Sequence, residues 1–132
     1  MTPQEKALVK ETWRKLEPKA DTVARLFYDR LFEIDETTRP LFKAVDLLKQ
    51  RQKLIHALSV VVQGLDNLDK LVPTLTALGG RHVQYGVTDR HYESVGAALL
   101  WTLKRALEPE WTSEAQAAWS SAYGLLTDVM KL

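Results

Sequence analysis

The chain has 132 residues, which is the length of one domain, so we expect no appended reductase or signalling domain. Its 18 lysines and arginines nearly balance 17 acidic residues and are scattered along the chain, which disfavours nucleic acid and membrane surfaces as partners. The absence of cysteine excludes disulfides, cysteine nucleophiles, iron–sulfur clusters and cysteine zinc sites. Because the N-terminus lacks an apolar signal region and no apolar run would span a bilayer, we expect a soluble cytoplasmic protein.

Apolar residues recur at helical spacing along almost the whole chain, so the fold class is predicted to be all-α. The first helix is expected to begin at a cap formed by Thr2, with Pro3 at its first position and Glu5 as the reciprocal capping carboxylate. Its apolar face ends where Pro18 interrupts the pattern. That face comprises Leu8, Val9, Thr12, Trp13 and Leu16.

A second helix is predicted to begin near Asp21, whose side chain is expected to cap it, and to end near Ile34. It carries two adjacent rows of apolar side chains, which are Val23, Phe27 and Leu31 and then Ala24, Tyr28 and Phe32. Residues 35–44 contain a proline and allow only a brief helix. A long amphipathic helix is expected from about Asp46 to about Gly64, with an apolar stripe of Leu54, Ile55, Leu58, Val61, Val62 and Leu65.

Three more helices complete the predicted fold. Pro73 fits the first turn of one of them, and the last two are expected to begin at about Thr88 and Thr112. Their inward residues are Leu75 and Leu78, then Tyr92, Val95, Leu99, Leu103 and Leu107, then Trp119, Tyr123, Leu126 and Met130. Gly79 and Gly80 each cost about 1 kcal/mol of helix stability, so we predict a mobile helix here, with faster hydrogen exchange than in the flanking long helices.

Three histidines are the candidate metal ligands. His56 lies opposite the apolar stripe of its helix and is interpreted as a surface residue. His91 is in the first turn of a helix and is expected not to face the core. The residue pattern leaves open whether His82, near a helix end, caps the helix or binds a metal. No second histidine or carboxylate lies one helical turn from any of them, so the one metal cofactor this inventory permits is haem, whose iron already has four porphyrin nitrogens.

The chain also carries eight short motifs in a fixed order. They are LFYDRLF at 26–32, RPLF at 39–42, QRQKL at 50–54, QGLDNL at 63–68, GRH at 80–82, GV at 86–87, HYESVG at 91–96 and AWSSAYG at 118–124. In this order and spacing the chain resembles the bacterial single-domain haemoglobins, which are similar to the globin domain of flavohaemoglobins. The resemblance implies a single globin domain over residues 1–132, with about six to eight helices enclosing a pocket for haem b.

The resemblance also assigns roles to individual residues. It implies that His82 is the proximal iron ligand and that Tyr28 and Gln50 lie on the distal side, where they hydrogen-bond a bound gas. The other residues expected to contact the haem are Phe42, Leu54, Leu78, Val87, Tyr92 and Val95. A hydroxyl or amide hydrogen aimed at bound dioxygen would stabilise it by about 1–3 kcal/mol, whereas carbon monoxide would gain much less.

One departure from the family pattern concerns the proximal side. In flavohaemoglobins the proximal histidine is linked to a tyrosine and to a glutamate late in the final helix. Tyr92 matches that tyrosine, whereas these 132 residues end before the place of the glutamate, and Asp128 is the only late acid. Without the carboxylate, His82 is expected to donate less electron density to iron, which disfavours oxidase-like chemistry.

Three functions are consistent with these residues. The favoured one is reversible binding of dioxygen for storage, transport or scavenging. The second is an enzyme that converts nitric oxide to nitrate with electrons from a separate reductase. The third, an interaction module that has lost haem, is disfavoured by the joint presence of the iron ligand, the haem-facing phenylalanine and the distal pair. The expected partners are O2, NO and CO together with that reductase, and the chain is expected to be a monomer or weak homodimer.

Overall fold

The computed structural model describes residues 1–131 as six α-helices and two short 3₁₀ helices. The α-helices are Pro3–Leu16 (α1), Ala20–Ile34 (α2), Leu47–Gly64 (α3), Leu68–Gln84 (α4), Asp89–Leu107 (α5) and Ser113–Met130 (α6), and the 3₁₀ helices are Glu17–Lys19 and Glu36–Phe42. No strand occurs in this part of the chain, so the predicted all-α class is confirmed. None of these helices combines the length and the apolar character needed to cross a bilayer.

Side-chain caps fix four of the helix starts where the sequence predicts them. Thr2 and Glu5 form the predicted capping box of α1. The Asp46 carboxylate accepts hydrogen bonds from two first-turn amides of α3, and the Thr112 hydroxyl accepts one from α6. Thr88 caps α5. Each cap satisfies a backbone donor that has no partner inside its helix, which is why these starts can be read from local sequence.

One predicted cap and one predicted helix start are wrong. The 3₁₀ helix at 17–19 runs directly into α2, so Asp21 lies in the first turn, where its charge favours the helix N-terminus, and does not cap it. The fourth helix begins at Leu68, and Pro73 is its sixth residue rather than part of its first turn. Leu68 and Leu71 extend the apolar stripe of α4 into the core, and this packing outweighs the backbone hydrogen bond that Pro73 cannot make.

The main hydrophobic core lies between α1, α2, α5 and α6. Both of its buried tryptophans have hydrogen-bond partners, because Trp119 donates to Thr12 at 2.8 Å and Trp13 donates to Ser59 at 3.2 Å. Within α3, by contrast, only Val62 is buried. Leu54, Ile55, Leu58 and Val61 of the same helix are half-buried against this core. The core between α1, α2, α5 and α6 is therefore tightly packed, while the apolar face of α3 stays partly accessible.

Gly79 marks the closest approach of two helices. A Cβ atom on Gly79 would overlap the backbone carbonyl of Met130 in α6, whereas Gly80 has no atom within 4 Å of the equivalent position. Gly79 is buried and Gly80 is exposed. The first glycine therefore lets α4 and α6 pack backbone to backbone, and only the second is free of packing constraints. Mobility of this segment stays a prediction, and Gly80 is the residue that favours it.

His91 is buried, with 8% of its surface exposed, so the prediction that it lies on the surface is wrong. Its Nδ1 accepts a hydrogen bond from the Thr88 backbone N–H at 3.0 Å, which completes the capping box of α5. In the neutral ring, Nε2 then carries the proton and donates to the Thr37 hydroxyl at 3.0 Å. The signal in the sequence is the Thr-x-x-His spacing, in which histidine takes the place of the capping glutamate.

The same network reaches a buried carboxylate, Asp35. This side chain accepts hydrogen bonds from the Ser94 hydroxyl at 2.6 Å and from the hydroxyl and backbone N–H of Thr37 at 2.5 and 3.0 Å. These bonds, that from Ser94 above all, lower the pKa of Asp35 from 3.8 to about 2. The network ties the 3₁₀ helix at 36–42 to the start of α5.

We expect Gly79→Ala to destabilise the protein and Gly80→Ala to stabilise it, although alanine favours a helix at both positions. The first methyl group would force α4 and α6 apart, at a cost of about 1–3 kcal/mol. The second would meet open space and add up to about 1 kcal/mol. Urea unfolding followed by circular dichroism measures both changes. Equal effects of the two substitutions would contradict the backbone contact between the helices.

The lowered pKa of Asp35 predicts an acid-dependent contribution to stability. A carboxylate whose pKa is depressed by folding stabilises the native state above its unfolded pKa of 3.8, and this contribution is lost as the pH falls towards about 2. Asp35→Asn removes the titrating group. The difference in free energy of unfolding between the natural chain and Asp35→Asn should therefore be largest above about pH 5 and shrink towards pH 2. A difference that does not change with pH would refute this assignment.

Candidate functional site

One part of the site is a hydrogen-bonded pair on α2 and α3. The Gln50 amide donates to the Tyr28 hydroxyl oxygen at 3.1 Å. Tyr28 is 4% exposed, and burial raises the pKa of its phenol. Because the oxygen accepts from Gln50, the O–H of Tyr28 remains free to donate to a third group. The predicted distal pair is thus assembled as a hydrogen-bond donor that keeps its proton at neutral pH.

Aromatic rings hold this pair in place. The Tyr28 ring meets the edge of Phe27 at 5.0 Å and of Phe42 at 5.4 Å between centroids. Phe42 is the last residue of the 3₁₀ helix that the buried network of Asp35 anchors. Gln50 lies one turn into α3, where its backbone N–H bonds to the carbonyl of the capping residue Asp46. Local capping therefore determines which side chain of α3 faces Tyr28.

A second part of the site surrounds His82, near the end of α4. Its Nδ1 lies 2.8 Å from the Leu78 backbone carbonyl. A carbonyl oxygen only accepts hydrogen bonds, so Nδ1 carries the proton and Nε2 of the neutral ring keeps its lone pair. The ring stacks on Tyr92 with centroids 6.4 Å apart, and the Val87 backbone N–H donates to the His82 carbonyl at 3.1 Å. This is the tautomer that binds a metal through Nε2.

The part of the site around Tyr28 and the part around His82 pack against different hydrophobic clusters. Phe42, Leu54 and Val95 pack on the main core, whereas Leu78 and Tyr92 pack on a small cluster of Leu71, Leu75 and Met130. Between residues 1 and 131, the structure shows no hydrogen bond or ring contact that joins His82 to Tyr28 or Gln50. Tyr92 and Val95 lie three residues apart on α5, so this helix connects the two clusters.

The sequence predicts a proximal side with a tyrosine beside His82 and without the late glutamate of flavohaemoglobins. The hydroxyl of Tyr123 donates to the Tyr92 backbone carbonyl at 2.5 Å, and burial raises the pKa of Tyr123. Tyr92 therefore has a fixed backbone position beside His82. Asp128, the one late acid, is exposed on α6.

The chemistry of these donors fits a haem. In the described part of the chain no group of three histidine, cysteine or acidic side chains is arranged to hold a metal ion, and His56 is exposed as predicted. A single imidazole with a free Nε2 suits an iron that brings its other ligands in a porphyrin. Apolar side chains next to both parts of the site in sequence are exposed, namely Val45, Leu47 and Leu48, which precede Gln50, and Val83 and Tyr85, which follow His82. Such surface suits a flat apolar cofactor.

Comparison with known proteins identifies the class. The family model named Globin matches residues 25–130, so the chain belongs to the globin family. The expected globin fold is thereby confirmed. Membership of this family implies a haem cofactor and diatomic gas ligands.

Individual relatives are similar over nearly the whole chain. It is 30% identical to an anaerobic nitrite reductase of Casuarina glauca and 32% identical to an anaerobic nitrite reductase of Gossypium hirsutum, over 99% of this chain and 91% and 89% of those proteins. It is 29% identical to the flavohemoprotein of Bacillus subtilis (strain 168) over 92% of this chain. The matched part is 31% of that longer protein, so this chain spans about a third of its length.

We expect His82→Ala to abolish tight haem retention, because the substitution removes the imidazole that is predicted to bind iron through Nε2. His56→Ala is the matched control and should retain haem fully, since His56 is exposed on α3. Haem titration followed by gel filtration, with the ratio of Soret to protein absorbance as readout, measures both. Full haem retention by His82→Ala would overturn the assignment of this ligand.

Proposed function

We propose that this chain is a single-domain haemoglobin that binds dioxygen reversibly, with His82 as proximal ligand and Tyr28 and Gln50 on the distal side. The observation that carries the proposal is the direction of the hydrogen bond between Gln50 and Tyr28, which leaves the Tyr28 hydroxyl proton available. The raised pKa of that phenol supports the same role, because a donor must stay protonated. Membership of the globin family supports haem as the group to which the gas binds.

Each side chain has a distinct task in this proposal. When bound, haem supplies a ferrous iron that binds a diatomic gas. The Leu78 carbonyl orients the His82 ring and fixes its tautomer. Phe42, Leu54 and Val95 form an apolar wall that excludes water and so slows oxidation of the iron. The Tyr28 hydroxyl would donate to the bound gas, and Gln50 holds that hydroxyl in orientation.

Tyr28→Phe should speed dioxygen release by roughly 5- to 150-fold, the equivalent of losing a hydrogen bond of about 1–3 kcal/mol. Carbon monoxide release should change little, because this ligand gains much less from the donor. Stopped-flow displacement measures both rates on the same protein. Equal effects on the two gases would show that the hydroxyl is not aimed at the ligand. Gln50→Leu should also increase the rate of dioxygen release, because the Tyr28 hydroxyl loses the group that orients it.

A second candidate function is chemistry on nitrogen oxides, and the names of the relatives favour it. Two relatives that the chain matches almost end to end are named anaerobic nitrite reductases, and flavohemoproteins resemble it over their globin part. Nitric oxide dioxygenation joins nitric oxide and dioxygen to give nitrate, and a separate reductase would return one electron. Nitrite reduction takes one electron and two protons and releases nitric oxide and water. Tyr28 offers a donor to either substrate.

Two assays on the haem-loaded chain separate these functions. Mixing the dioxygen complex with nitric oxide measures nitrate formation, and mixing the reduced protein with nitrite without oxygen measures nitric oxide release. Turnover sustained by an added reductase in either assay would favour the enzyme. A single stoichiometric event followed by slow re-reduction would favour the oxygen-binding function.

A further inference from the structure

A cation lies behind the proximal histidine. The Lys131 ammonium sits 4.9 Å from the centroid of the Tyr92 ring. The same ring stacks on the His82 imidazole, with centroids 6.4 Å apart. The lysine also contacts the Asp89 carboxylate at 3.5 Å, and 40% of its side chain is exposed. The charge is thus one aromatic ring removed from the candidate iron ligand.

Backbone packing fixes the position of this lysine. Lys131 follows directly after α6, and its N–H bonds to the Thr127 carbonyl at 2.9 Å. Its neighbour Met130 touches Gly79 so closely that no side chain fits between them. Gly79 lies three residues before His82 on α4, so the contact holds the end of α6 against the proximal helix. The backbone of Lys131 is therefore held beside the proximal helix, within reach of Tyr92.

We propose that Lys131 raises the reduction potential of the haem by placing a positive charge on the Tyr92 ring that stacks on His82. This inference rests on the proposed role of His82 as the iron ligand. Ferric haem carries one more positive charge than ferrous haem, so a nearby cation destabilises the ferric form. The cation also draws electron density from the face of the tyrosine, so that the stacked imidazole donates less to iron. A higher potential favours the ferrous state that binds dioxygen.

Asp89 provides an internal test of this inference, because it opposes the lysine. Its carboxylate pairs with Lys131, and its charge raises the pKa of Tyr92 together with the larger effect of burial. Removing Asp89 leaves the lysine without its counter-ion, and removing Lys131 leaves the aspartate alone beside Tyr92. The two changes should shift the potential in opposite directions.

The experiment measures the midpoint potential of the haem-loaded full chain by spectroelectrochemical titration. We expect a lower potential in Lys131→Met, a still lower one in Lys131→Glu and a higher one in Asp89→Asn. Methionine keeps an unbranched side chain that packs on the aromatic ring and removes only the charge. Lys104→Met is the matched control, because it removes a lysine that lies about 18 Å beyond Tyr92 along α5 and should not shift the potential.

Added salt gives a second check, since screening of these exposed charges should shrink the differences between variants. A potential in Lys131→Met equal to that of the natural chain, or a shift of the same size in Lys104→Met, would overturn the inference. The ferrous spectrum of every variant separates this outcome from failure of the proposed function. If histidine ligation is intact in all of them and the potentials coincide, only the role of Lys131 fails. If the natural chain itself lacks histidine ligation, the proposed function fails first.

Discussion

The hydrogen bond from the His82 ring to the Leu78 carbonyl is the interaction on which the proposed site depends. It commits Nδ1 as the donor and leaves the lone pair of Nε2 for a metal. A similar arrangement holds on the other side, where Gln50 occupies the oxygen of Tyr28 and leaves its proton available. In both cases a neighbouring group within the protein satisfies one end of a polar side chain and thereby determines what the other end can do. In the proposed site the first free end holds the haem iron and the second stabilises bound dioxygen.

The fold positions these two bonds through contacts far from either. A glycine, Gly79, lets α4 approach the backbone of α6 next to the helix end that carries His82. The buried network of Asp35, Thr37 and His91 fixes the 3₁₀ helix that ends in Phe42 against the start of α5. Helix α5 in turn supports both clusters of the site. Packing of the scaffold and geometry of the site are therefore coupled, although few residues belong to both.

The sequence predicts what is local and misses what depends on packing. The helix starts at Thr2 and Asp46 are predictable because a cap bonds to amides two or three residues away. The start of α4 is not, because burial of leucines outweighs the local preference of Pro73. Helical periodicity predicts an exposed His91. The prediction fails because Thr37, which belongs to another segment, contacts and buries the ring. The role of Gly79 depends on Met130, which is 51 residues away and has no local signature.

The site also contains some features that the sequence predicts and others that only the structure reveals. The family resemblance predicts the pairing of Tyr28 with Gln50, and the structure brings them into contact. The tautomer of His82 and the charge at Lys131 follow only from geometry.

The most direct test of the proposed site is the visible absorption spectrum of the purified chain titrated with haem, in the ferric, reduced and carbonyl-bound forms. We predict saturation at one haem per chain with a histidine-ligated ferrous spectrum that responds to carbon monoxide. A chain that takes up no haem, or that binds it without histidine ligation, would contradict the proposal.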